Sequence, residues 1–104
     1  MFSMDDVFDA LADPNRRAIL DRLYASDGLT LSAICKELKM TRPGVSKHLG
    51  KLEEAQLIAI VWRGREKLHF LNVVPLQQIY SRWIRKFDTE RNDALLSLKS
   101  RLEE

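Results

Sequence analysis

Apolar residues recur at helical spacing through the first half of the chain, and then the period changes. Val7, Phe8 and Leu11 share one side of a segment over Asp5–Leu11. In "ADPNRRAILDRLYA", Ile19, Leu20 and Leu23 form an inner face; apolar positions three and four apart mark an amphipathic helix. Asp13 suits the N-cap of this second helix and Pro14 its first position, where the missing amide has no helical partner. "SDGL" closes it, with Gly28 in the turn. Thr30 then predicts the cap of "LSAICKEL", whose stripe is Leu31, Ile34, Cys35 and Leu38. After the tight turn "KMT", Thr41 is placed to cap a fourth helix that runs to about Ala55, with Val45, Leu49 and Leu52 pointing inward. Pro43 is tolerated there because first-turn amides lack partners. Two short helices joined by about three or four residues are a helix-turn-helix candidate.

From Ile58 the period is two. Ile58, Ile60 and Trp62 share one face of "IAIVW", "RGRE" turns around Gly64, and Leu68 and Phe70 share a face of the return strand "KLHFLN". This predicts a β-hairpin, with Ile60, Trp62, Leu68 and Phe70 as its apolar core and His69 as a structural or surface residue. Pro75 opens a last long helix over 75–102. Its stripe is Leu76, Ile79, Tyr80, Trp83, Ile84 and Phe87, continued by Ala94, Leu95, Leu98 and Leu102. The polar run "DTERND" inside it reads as a solvated stretch or a bend. The expected fold is mainly α with a small β-hairpin, in the order α-α-α-α-β-β-α, as one domain over 1–104 without repeat or linker.

Composition narrows the class. The chain has 104 residues, 45% apolar and 31% charged, which is enough for one modest core. No apolar run approaches the roughly 18–20 residues of a membrane helix. The N-terminus carries acids where a secretory signal carries bases, and one cysteine makes no internal disulfide, so a cytoplasmic setting is expected. Net charge is only +2, but its distribution is uneven. Lys36–Lys51 has five bases against one acid, and Arg63–Lys67 has three against one. The remainder of the chain is therefore acidic.

One basic window is the fourth helix. Opposite its apolar face lie Pro43, Lys47, Gly50 and Lys51, with Ser46 and His48 on the flanks and both glutamates, Glu53 and Glu54, at the far end. A helix entering the DNA major groove needs small residues at its front and donors and positive charge on its outer face. Acids there would repel the backbone. The helix N-terminus also favours a phosphate. The basic hairpin tip, 63–67, fits the same reading as a wing beside the adjacent backbone or minor groove. The 42–54 helix and this wing point to double-stranded DNA as partner.

The segments "ALADPNRRAILDRL", "SAICKELKMTRPGVSKHLGKLEEAQLI" and "RGREKLHFL" strongly resemble the ArsR-type winged helix-turn-helix transcriptional repressors, over roughly residues 5–74. The resemblance implies a homodimer, built largely from the first and last helices, that represses genes from a palindromic operator. Carried over by position, it implies recognition-helix contacts from Thr41, Arg42, Pro43, Ser46, Lys47 and His48, and wing contacts from Arg63 and Arg65. Lys51 joins them on the outward face. The dimer interface is expected from Val7, Phe8 and Leu11 with Ile79, Tyr80, Trp83, Ile84 and Phe87, which makes 75–102 a dimerisation helix. Its stripe is wider than one small domain needs for its own core.

Some members of this family sense metals through paired cysteines. Here the corresponding positions are Ile34 and Lys36, with Cys35 between them, and the last helix has no His or Cys. One Cys and two His on three elements make no thiolate or imidazole cluster within one protomer. No metal, no cofactor and no catalytic set is expected: Ser46 and His48, two apart, lie on different helix faces. Cys35 sits on an apolar stripe, as a buried inert thiol does. No residue pattern points to an effector. The second reading is a winged-helix module for protein–protein association without DNA binding, because the fold does not by itself fix function; it predicts that the basic windows can be neutralised without loss.

Overall fold

The computed structural model describes residues 2–88 and 90–103, with the side chains of 90–95 excepted. The caps at Asp13, Thr30 and Thr41 form as the sequence predicts. Helix α1 (Met4–Leu11) is capped by Ser3, and α2 (Pro14–Ala25) by Asp13, whose carboxylate accepts from the amides of Asn15 and Arg16 at 2.8 and 3.2 Å. Thr30 Oγ1 accepts from Ala33 at the start of α3 (Leu31–Leu38), and Thr41 Oγ1 from Gly44 at the start of α4 (Arg42–Glu54). Each cap satisfies an amide that the first turn leaves unpaired. At position 44 a Cβ would lie 2.9 Å from the Thr41 hydroxyl, so glycine keeps that cap in place. Arg16 and Arg17, next to the Asp13 cap, donate to Asp9, Ala10 and Leu11 carbonyls and close the C-terminus of α1.

The turn between α3 and α4 passes through Lys39 at φ 54°. Val7, Ile19, Leu23, Ile34, Val45, Leu52 and Leu57 are fully buried, so α1 to α4 close around one core. Strands β1 (Ile58–Arg63) and β2 (Glu66–Leu71) pair antiparallel in the register Ile58↔Leu71 to Arg63↔Glu66, with Gly64 at φ 62° in the turn. Leu29 adds a bridge to His69, which the sequence does not suggest. His69 is buried at 3% exposure, with Nδ1 2.8 Å from the Leu29 carbonyl oxygen, so its role is structural.

Two expectations are corrected here. The single helix over 75–102 is replaced by three pieces: α5 (Val74–Trp83), a 3₁₀ turn over Arg85–Phe87, and α6 (Glu90–Glu103). The amides of Phe87 and Asp88 bond three residues back, to Ile84 and Arg85, and the Tyr80 hydroxyl donates to the Asp88 carboxylate across the break. That bond, with burial and the Asp88 charge adding to it, pushes the Tyr80 pKa up. Ile84 and Phe87 keep the helical spacing up to the polar run over 88–93, so the break begins a few residues before the bend that this run allows. Trp62 also does not join the hairpin core. It is 63% exposed, whereas Ile58 and Leu68 are buried and Ile60 and Phe70 half-buried. The strands run past the helical body near Arg63, and the face that alternation turns inward has nothing to cover it there.

Candidate nucleic-acid interface

The face of α4 opposite the core carries Thr41, Arg42, Pro43, Ser46, Lys47 and Lys51, all exposed. Val45, Leu49 and Leu52 anchor it from below. The outward face therefore stays free of acid until Glu53. Arg42 is oriented by a 2.8 Å bond from its guanidinium to Ser32 Oγ on α3. Arg63 and Arg65 project at the hairpin tip, both exposed. Recognition helix and wing thus bring eight of the nine residues expected to meet DNA onto open surface.

His48 differs from the other eight. It is half-buried, with Nδ1 enclosed and without a hydrogen-bond partner among the described residues. It lies within electrostatic reach of Asp13, the α2 cap. Desolvation raises the Asp13 pKa, but the amides of Arg16 and Asn15 and the charges of Arg16 and His48 together bring it below the usual carboxylate range. His48 therefore sits on the flank toward α2.

Between α4 and the wing lies a groove of about 740 Å³. Ser46 and Gly50 line it from the helix, and Trp62, Arg65 and Lys67 from the hairpin. Lys67 Nζ lies 3.8 Å from Glu53, an ion pair that ties β2 to the end of α4. Glu53 is thus engaged at the back of the interface, as its position in the sequence suggests. Two residues of this surface are not marked as part of it by the sequence pattern. Ser32 orients Arg42 from another helix, for which no local signal exists. Alternation places Trp62 in the core, and its position one residue before the tip, opposite Lys67, is the hint against that.

The residues expected at a dimer interface divide. Val7 is fully buried in the protomer's own core, and its side chain is not available to a partner. Leu11 and Ile79 pack half-buried against that core, and Tyr80 and Phe87 are half-buried as well. Phe8, Trp83 and Ile84 are exposed at 43%, 48% and 49%, and the Phe8 and Trp83 rings stack with centroids 6.2 Å apart. Cys35 is half-buried against the core. Among the described residues no three of His, Cys, Asp and Glu converge as a metal site needs, and no helix is long and apolar enough to cross a membrane.

Residues 11–61 match the family described as a helix-turn-helix domain. The uncharacterized HTH-type transcriptional regulator YuzN of Bacillus subtilis is 35% identical over 86 residues, covering 77% of this chain and 94% of that protein. The transcriptional repressor SdpR of the same organism is 34% identical over 84 residues, covering 81% and 91%. An ArsR-like transcriptional regulator from Rhodococcus sp. RHA1 superposes with a TM-score of 0.72 at 28% identity, over 96% of this chain and 90% of that one. With its helix-turn-helix, its basic wing and these relatives, the chain belongs to the ArsR family of winged helix-turn-helix, DNA-binding transcriptional regulators.

Proposed function

We propose that the protein is a homodimeric repressor that sits on an inverted-repeat operator, with α4 in the major groove and the wing on the adjacent backbone. The observation that carries this reading is the outer face of α4, where Thr41, Arg42, Pro43, Ser46, Lys47 and Lys51 are exposed together. Arg63 and Arg65 continue the positive surface onto the wing. Phosphate contacts by these bases fix the register, and Arg42, already oriented by Ser32, is the residue best placed for a planar, bidentate base contact. Occupancy of the operator blocks transcription; one of the relatives is named a repressor.

A second copy of the chain is supported by surface area. The protomer exposes 7635 Å², whereas a compact 12.1 kDa monomer exposes about 6000 Å². Phe8, Trp83 and Ile84 contribute to that excess, as do Leu96, Leu98 and Leu102 of α6. Among the described elements α6 touches only the 3₁₀ turn. Two-fold homodimers are the commonest way to cover such a face. The dimerisation element is thus α5 with α1, extended by α6, in place of one straight helix.

Selection of bound duplex from a random pool tests the proposal in one experiment. The expected product is an inverted repeat with half-sites about 34–36 Å apart centre to centre. A pool that yields no enriched sequence, with the basic windows neutralised at no cost to the protein's association with other proteins, would favour the interaction-module reading instead.

A further inference from the structure

Two features of the groove between α4 and the wing are unexplained by the fold of the protomer. The first is Trp62. An indole 63% exposed on the inner face of a hairpin gains little from the folded chain. The second is Gly50, in the interior of α4. A Cβ there would meet nothing within 4 Å, and its φ is not positive. Neither packing nor backbone geometry demands glycine, which is among the poorest helix formers. A bare helix surface and an uncovered indole line the same groove, with Arg42 and Arg65 also lining it. Its two acids are Glu53, paired with Lys67, and Glu66 beside the turn.

We infer that this groove seats one sugar–phosphate strand of the bound duplex, with Trp62 as an additional DNA-contacting residue and Gly50 as the point of closest approach. The inference rests on the reading of the protein as a DNA-binding regulator. The strand's phosphates match Arg65 on the wing side of the groove, while Arg42 lies toward the base edges. Its deoxyribose presents an apolar face that the indole ring covers, and the indole N–H supplies a donor for a phosphate oxygen. A side chain at position 50 would hold the strand away from α4 by about the radius of a methyl group.

The test compares Gly50→Ala, Trp62→Ala and Trp62→Phe with the wild-type chain, on duplex selected by the wild type. Gly50→Ala is expected to raise Tm by a few degrees, since alanine favours the helix and clashes with nothing, yet to weaken binding about tenfold. Trp62→Ala is expected to weaken binding about ten- to a hundredfold, as loss of an aromatic contact with a nucleotide does. Its slope of log affinity against log salt stays unchanged, because no charge is removed. Trp62→Phe retains most of the affinity. In a Trp83→Phe background, emission from Trp62 is quenched by DNA. Wild-type affinity in either alanine variant overturns the inference and leaves the DNA-binding reading standing. So does weakened binding by Trp62→Ala with Trp62 emission indifferent to DNA, which would assign the residue to wing structure. A wild-type chain that binds no duplex overturns both.

Discussion

Arg42 and Lys47 lie on the same exposed face but are held differently, and their substitutions should separate base reading from phosphate attraction. Arg42 is a planar fork oriented by Ser32, whereas a lysine ammonium is a mobile point charge. Arg42→Ala is expected to cost about 1–3 kcal/mol of operator binding and to relax specificity at one base pair. Lys47→Ala should weaken all sequences alike and make the salt slope shallower by about one. Fluorescence anisotropy titrations over a salt series measure both; equal losses with equal slopes would show that both residues meet phosphate only. A second residue-scale effect concerns Glu37. Its hydrogen bond from Arg22, offset in part by desolvation and aided by the Arg22 charge, holds its carboxyl below the ordinary 4.5. The folded state therefore resists protonation at this site more than the unfolded state does. The stabilisation is present above pH 4.5 and is lost as the pH falls through the lowered value. Glu37→Gln should flatten the acid limb of stability, read from urea midpoints near neutrality and below pH 4.5; parallel acid limbs in the two proteins would refute this.

At the scale of elements, α5 and the turn after it decide what is offered to a partner. Leu76 and Ile79 pack on the core, while Trp83 and Ile84 leave the body just before the chain tightens into the 3₁₀ turn. Because both are exposed in the protomer, shortening them spares its fold. Trp83→Ala combined with Ile84→Ala is expected to give monomers in sedimentation with an unchanged far-UV spectrum. A dimer that persists at the same concentration would place the interface on α6, around Leu98 and Leu102. Element boundaries also show why recognition helix and wing act together. Glu53 at the end of α4 pairs with Lys67 on β2, which links the wing to that helix.

At the scale of the molecule, the proposed repressor uses the two basic windows and the exposed apolar face as parts of one device. A dimer presents two copies of α4 and two wings to one duplex, so the phosphates it neutralises are twice those of a protomer. The affinity should fall steeply with salt, with log affinity linear in log concentration. The monomeric double variant should show about half that slope, and it should bind the full operator little better than a half-site. Equal slopes for dimer and monomer would mean that one protomer makes all the contacts.

The sequence by itself determined the caps at Asp13, Thr30 and Thr41, the inner faces of α2 to α4, the hairpin around Gly64 and the basic character of α4 and the wing. These depend on neighbours within a turn or a strand pair, so local periodicity and residue type carry them. The tertiary structure decided the rest. Whether Val7 faces the core, whether His48 faces α2 and whether Trp62 is covered depend on which element lies opposite. An alternating or helical pattern gives the side a residue occupies and not what waits on that side. The break after Trp83 is of the same kind: the polar run over 88–93 allows a bend, but Ile84 and Phe87 keep the helical spacing, and it is the folded chain that shows the 3₁₀ turn and the Tyr80–Asp88 bond there. Ser32 and Arg42 are ten residues apart and meet only because α3 and α4 pack at the turn between them.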